Sequence, residues 1–163
     1  VDSKLCDAQA GYESLLSALL PSLAGANLIY GTGMLDSGMV LDYGKMILDD
    51  EINMAIKHLV KGMPVNEETL SVAAIKEIGQ TGNFLTHPDT LSNFTKLLRP
   101  KLMNRENYDR WSSNGESSVY ERALEKARKI VATHQPASIN ENAQKEIDEI
   151  IWETEKELKV DQL

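Results

Sequence analysis

The chain has 163 residues, 42% of them hydrophobic and 26% charged, which is enough to bury one domain's core. A formal net charge of −8, with Lys and Arg scattered along the chain, argues against nucleic acid as a partner. A single cysteine, Cys6, excludes an internal disulfide framework and fits a reducing cytoplasm, and no apolar run reaches the roughly 20 residues that span a bilayer. Residues 15–25 come closest, but Ser17, Pro21 and Ser22 interrupt them and no basic segment precedes them, so neither a membrane span nor a signal peptide is expected. The sequence opens at Val1 in the middle of a pattern and reads as a piece of something longer.

In chain order, Asp7 is an N-cap residue ahead of Ala8, Tyr12, Leu15, Leu16, Leu19, Leu20 and Leu23. That spacing predicts a helix closed by Gly25, with Pro21 kinking its last turn. Ala26-Asn27-Leu28-Ile29-Tyr30-Gly31 is short and almost wholly apolar, the pattern of a strand buried on both faces of a parallel sheet. A second helix is expected from about Leu41 to Val60, apolar at Met46, Ile47, Ile52, Ala55, Ile56, Leu59 and Val60, and ended by Gly62. Asp49, Asp50, Glu51 and Lys57 are assigned to its solvent side. Helix, strand, helix is the order of parallel α/β folds, and Ser3 and Lys4 would then lie just beyond an earlier strand.

After Gly62 the strand pattern disappears. Asn66 caps a helix to about Ile78, with Leu70, Ala73, Ala74 and Ile78 inward. Gly79 and Gly82 bracket a turn, residues 83–88 form a loop, and Asp89 starts a helix through Leu98 that Pro100 stops. Arg105 to Trp111 is a short helical turn. Ser118 to Glu121 is a capping box ahead of Ala123, Ala127, Ile130 and Val131, and Ser138 to Glu141 is a second one, opening the last helix.

The candidate chemistry is sparse. His58, His87 and His134 are far apart, and none has a partner at metal-ligand spacing, so no metal site is expected. His58 reads as solvated or half-buried and His134 as a helix-end residue, whereas His87 lies in a loop after two glycines and before a proline. Gly31-Thr32-Gly33 lacks the third glycine of a dinucleotide fingerprint and the Lys-Ser/Thr pair of a phosphate loop. At the carboxyl end of a strand, such glycines either let a large flat group approach the backbone or simply allow a tight turn. The strand-end geometry groups Ser3, Lys4 and Asp7 with Tyr30, Gly31, Gly33, Met34 and Asp36. Met34 and Met39 are the two methionines that could face a ligand, and Met46 reads as packing. No nucleophile–base–acid triad is recognisable.

Several ordered stretches resemble the trimethylamine methyltransferase family, the corrinoid-dependent methyltransferases of trimethylamine and of other methylated or quaternary amines. They are "DAQAGYES" at 7–14, "GANLIYGTGMLDSG" at 25–38, "LDDEI" at 48–52 and "VNEETL" at 65–70. "GNFLTHPDTLSNF" at 82–94 and "RPKLMNRENYDRW" at 99–111 complete the set. Their order is similar to the C-terminal third of such enzymes. The resemblance implies an α/β fold: the last one or two strands of a (β/α)₈ TIM barrel over residues 1–62, followed by an appended helical region over residues 63–163. A whole barrel needs about 250 residues, more than this chain has.

The resemblance further implies methyl transfer from a methylated amine to the cobalt of a corrinoid held by a separate corrinoid protein, in a cytoplasmic and homo-oligomeric enzyme. On that reading Lys4, Asp7, Tyr30 and Asp36 are the candidate catalytic residues, Tyr30 and Asp36 as a wall for the quaternary nitrogen. Gly31, Gly33, Met34 and His87 are the candidate corrinoid-facing residues. Some members carry pyrrolysine, which this sequence does not show. The competing reading is a non-catalytic helical interaction module.

Overall fold

A computed structural model describes residues 1–158, which divide into two units at Ile130/Val131. Helices dominate, with one small two-stranded sheet. In the first unit α1 (Ala8–Leu23) packs along α2 (Tyr43–Lys61), and the hairpin β1 (Met34–Leu35) and β2 (Val40–Leu41) lies in the connection between them. The hairpin is antiparallel, pairing Met34 with Leu41 and Leu35 with Val40. Four short helices follow: α3 (Glu67–Leu70), α4 (Val72–Ile78), α5 (Pro88–Phe94) and α6 (Tyr108–Ser113). Then comes α7 (Val119–Thr133), whose last residues enter the second unit together with α8 (Glu141–Leu158).

Local chemistry fixes most helix ends. The Asp7 carboxylate accepts the Ala10 N–H at 3.1 Å and starts α1. Gly25 at φ +88° closes it: its own N–H reaches the Ser22 carbonyl, and the Ala26 N–H reaches that of Pro21. This is the left-handed stop that suits glycine. Asp42 caps α2, and Gly62 ends it at φ +73°. Asn66 and Thr69 cap α3 reciprocally, and Ser118 and Glu121 do the same for α7.

Elsewhere the structure departs from the sequence pattern. Residues 26–31 form no strand: they run without ladder partners, leaving Leu28 80% and Tyr30 85% exposed. An apolar run becomes a buried strand only beside other strands, and none of the described residues supplies one. The helix expected over 66–78 breaks at Ser71, which adopts φ +48° and ψ +32° and donates from Oγ to Asp89 at 2.8 Å. Leu70 and Ala73 are consequently exposed, and only Ala74 of that face is buried. The helix at Asp89 ends at Phe94, short of Leu98. Asn140 lies immediately before α8, accepting the Asn142 N–H at 2.9 Å, in place of the expected box from Ser138.

The assignment of Asp49 and Glu51 to a solvated helix side is overturned, since both are buried. The Glu51 Oε1 accepts the Leu102 N–H at 3.0 Å and so holds Leu102 against α2, where it packs with Leu48. The core of this unit gathers Leu48, Leu102 and Ala123, with Cys6, Ile47, Val119 and Tyr120 packed against it. In the second unit α8 carries an apolar stripe through Ile147, Ile150 and Ile151, and no residue of it is buried.

Candidate functional site

A pocket of about 340 Å³ opens between α1, α2 and the connection that carries the hairpin. Ser14, Ser17 and Ala18 line it from α1, and Asp49, Ile52 and Asn53 from α2. Residues 29–32, Met34, Ser37 and Gly38 close the side facing the hairpin.

Behind this wall lies a buried ion pair. Lys45 Nζ donates to Asp49 Oδ2 at 2.6 Å and to Ser14 Oγ at 2.8 Å, with the two charged side chains 2% and 8% exposed. The same Asp49 oxygen accepts the Gly33 N–H at 2.8 Å. Two buried charges are tolerated because each finds its partner in the other and in further polar groups. Gly33 has φ +83°, and a Cβ there would sit 3.0 Å from Met46 Cβ and 3.1 Å from the Asp42 carbonyl oxygen. This glycine is needed because the chain presses against α2, not to keep an open rim, and it does not line the pocket.

The residues singled out by the sequence fall into three groups. Lys4 and Asp36 meet: the ammonium lies 3.3 Å from Asp36 Oδ1, and the Asp36 N–H donates to the Ser3 carbonyl at 2.9 Å. Residues 1–4 and 36–37 are therefore neighbours, and Asp36 is held at φ +49°. Tyr30, Gly31 and Met34 line the pocket directly. A Cβ on Gly31 or Gly38 would stand 3.6 or 3.7 Å from the Met34 sulfur, an ordinary contact distance, and it is their φ of +99° and +90° that favours glycine.

Asp7 and His87 have structural employment instead. Asp7 is engaged by the Ala10 N–H and by Ser3 Oγ at 3.2 Å, and the Ala10 N–H foremost holds its carboxyl below the usual value. His87 caps α5, its Nδ1 accepting the Asp89 N–H at 3.1 Å, with Nε2 3.7 Å from Glu77, and it is not among the pocket residues. Met39 is 82% exposed and also stands outside the pocket.

Sequence reasoning missed Lys45, Asp49 and Ser14. The signal was available in the phase of α2: Lys45, Asp49, Ile52 and Ile56 follow one another at helical spacings of four, three and four. Two charged residues four apart on an apolar stripe are a buried pair written into the sequence. Two further groups beside the core are perturbed. Burial, followed by the Asp42 carboxylate, pushes the Cys6 thiol up to about 11. The Tyr120 hydroxyl donates to Asp42 Oδ2 at 2.7 Å, and this bond foremost raises it to about 12. Among the described residues no cluster of His, Cys, Asp and Glu could hold a metal ion, and no helix is long and apolar enough to cross a membrane.

The family model for trimethylamine methyltransferase (MTTB) matches residues 1–159. The chain belongs to the trimethylamine methyltransferase family. It is 40% identical over 157 residues to the trimethylamine methyltransferase of Desulfitobacterium hafniense strain DCB-2, covering 96% of this chain and 32% of that protein. A second family member, from Methanosarcina thermophila, is 37% identical over 146 residues, covering 90% of this chain and 30% of its own length. The glycine betaine methyltransferase of Desulfitobacterium hafniense strain Y51 is 32% identical over 159 residues, covering 96% of this chain and 33% of that protein. The chain thus spans about a third of the length of the curated relatives it matches.

Proposed function

We propose that this chain is part of a methyltransferase that moves a methyl group from trimethylamine or another methylated amine to the cobalt of a corrinoid carried by a partner protein. The observation that carries the proposal is the pocket beside the Gly31–Gly38 connection, in a chain that belongs to a methylated-amine methyltransferase family. Relatives named for trimethylamine and for glycine betaine support a small methylated nitrogen compound as methyl donor.

Residues 1–62 are proposed to be the last units of a (β/α)₈ barrel and residues 63–163 the helical region appended to it. Two features support that architecture. The apolar segment 26–31 is neither helical nor paired and leaves Leu28 and Tyr30 uncovered, which suits a strand whose neighbours lie elsewhere in a longer protein. Glycines also cluster where barrel loops would carry the site.

In this reading Tyr30 presents an aromatic face to the cationic nitrogen, and Asp36, held beside Lys4, supplies charge at the same rim. A quaternary nitrogen such as that of glycine betaine has no N–H to donate, and trimethylammonium has one only, so recognition rests largely on shape, aromatic faces and carboxylates. The corrinoid supplies the cobalt that accepts the methyl group when the partner is docked. Gly31, Met34 and Gly38 fit contact with a large flat group, because all three line the pocket and the two glycines put no side chain beside the Met34 sulfur. Gly33 does not fit that role, since Leu41, Asp42 and Met46 cover it and Asp49 takes its N–H.

The test uses the full-length protein with a Co(I) corrinoid protein, offered trimethylamine and glycine betaine in turn. Methyl-cobalt formation with at least one of them is expected. Failure with every methylated amine, in a protein that folds and binds the corrinoid protein, would refute the assignment.

A further inference from the structure

The buried pair on α2 has no evident purpose in stability alone. Apolar residues of similar volume serve a core as well as, or better than, two desolvated charges. What the pair does is join three elements that line the pocket. Ser14 and Asp49 are themselves pocket residues, and Gly33 stands between Thr32 and Met34, which are pocket residues too. Lys45 Nζ spans from Ser14 on α1 to Asp49 on α2, and Asp49 Oδ2 holds the Gly33 N–H. Lys45 is too buried to reach a ligand, and the Asp49 oxygen that holds Gly33 is already shared with the ammonium.

We infer that Lys45 and Asp49 are positioning residues: the ammonium fixes the carboxylate against α1, and the carboxylate fixes the Gly31–Met34 turn through a single backbone N–H. Gly33 at φ +83° can bend toward α2 only because it has no side chain, and the charge-assisted bond from its N–H sets the direction in which Thr32 and Met34 leave it. The inference rests on the pocket being the substrate end of the methyltransferase proposed above.

Two double variants of the full-length protein separate the roles. Lys45→Met with Asp49→Leu removes both charges and the acceptor for Gly33. Lys45→Met with Asp49→Asn removes both charges but keeps a side-chain oxygen that can accept the Gly33 N–H. Three readouts are taken: thermal midpoint, backbone amide exchange across residues 31–35, and kcat and KM for methyl transfer.

The leucine variant is expected to melt a few degrees below the parent, because the buried Gly33 N–H loses its acceptor. Its loop amides should exchange about tenfold faster, and kcat should fall by about tenfold with KM changing less, the loss expected for one charge-assisted hydrogen bond that orients rather than binds. The asparagine variant should restore the exchange protection and most of kcat. Should the leucine variant fail to fold, Lys45→Met with Asp49→Ala takes its place with the same expectations. Unchanged loop exchange in the acceptor-free variant would overturn the inference, and so would an asparagine variant as impaired as the leucine one. If the parent transfers no methyl group from any amine, the methyltransferase reading falls, while the exchange comparison still decides whether the pair holds the turn.

Discussion

Asp42 holds two elements with its two oxygens. Oδ1 accepts the Lys45 N–H at 2.6 Å and caps α2, while Oδ2 accepts the Tyr120 hydroxyl at 2.7 Å and fastens α7. Asp42→Ala should therefore cost about 2 kcal/mol, about 1 for the cap and about 1 for the stranded hydroxyl, whereas Asp42→Asn should cost less than half of that. Urea midpoints of the two variants check this. The neighbouring Cys6 and Tyr120 make a pH prediction. Both folded-state values are raised, from 9.0 to about 11 and from 10.0 to about 12, so each group stays protonated in the fold after it has ionised in the unfolded chain. Their contributions are complete below pH 9.0 and are lost as pH rises from there through about 12. Urea midpoints should fall over that window, and the fall should be shallower in a Cys6→Ala, Tyr120→Phe variant. At this scale the caps at Asp7, Asn66 and Ser118 were legible, because a capping side chain acts on its own next few residues. Lys45 and Asp49 are not, because charge ordinarily marks an exposed position and only the phase of the helix shows that these two are buried.

Two glycines within helices illustrate how the elements depend on their surroundings. On propensity alone, glycine to alanine in a helix interior stabilises by about 1 kcal/mol. Gly11 in α1 has open space where a Cβ would go, so Gly11→Ala should raise stability by about 0.5–1 kcal/mol. On Gly44 in α2 the same Cβ would stand 2.7 Å from Tyr120 Cε2, so Gly44→Ala should lower stability by about 1–2 kcal/mol despite the propensity gain. Thermal midpoints should move in opposite directions. Helix α8 has no buried residue and so lacks the packing that holds most protein helices. Its amides should exchange with solvent much faster than those of α2 in the same hydrogen-exchange experiment. Helix existence was readable from period and caps, whereas the state of residues 26–31 was not. Their apolar run specifies burial between neighbouring strands, and pairing is a property of the partners as much as of the segment itself. The hairpin at 34–35 and 40–41 escaped notice because two-residue strands leave no alternation to detect, and the glycines around them read equally well as an open rim.

For the whole molecule, family membership and a helix-dominated architecture stand together with a length about a third that of the relatives matched. Large apolar side chains such as Leu5, Leu28, Tyr30 and Leu85 are open to solvent in this chain by itself. Exposure on this scale marks surfaces that meet something else. The 163-residue chain alone should therefore bind an apolar dye more strongly, mole for mole, than the full-length protein does; equal binding would mean that the longer protein leaves these faces uncovered. The sequence carried the family through ordered fragments, but the pocket emerged only when α1, α2 and the hairpin were brought together. Ser14, Tyr30 and Asp49 are far apart in the chain and share no motif.

The central claim is that this pocket is the substrate end of a methylated-amine methyltransferase, and filling it is the most direct test. Ser17 lies on the exposed rim of α1, where an indole can enter the pocket without disturbing the core. In the full-length protein, Ser17→Trp should leave the thermal midpoint within a few degrees of the parent while methyl transfer from the preferred amine falls by at least about tenfold. Undiminished transfer with the tryptophan in place would contradict the account.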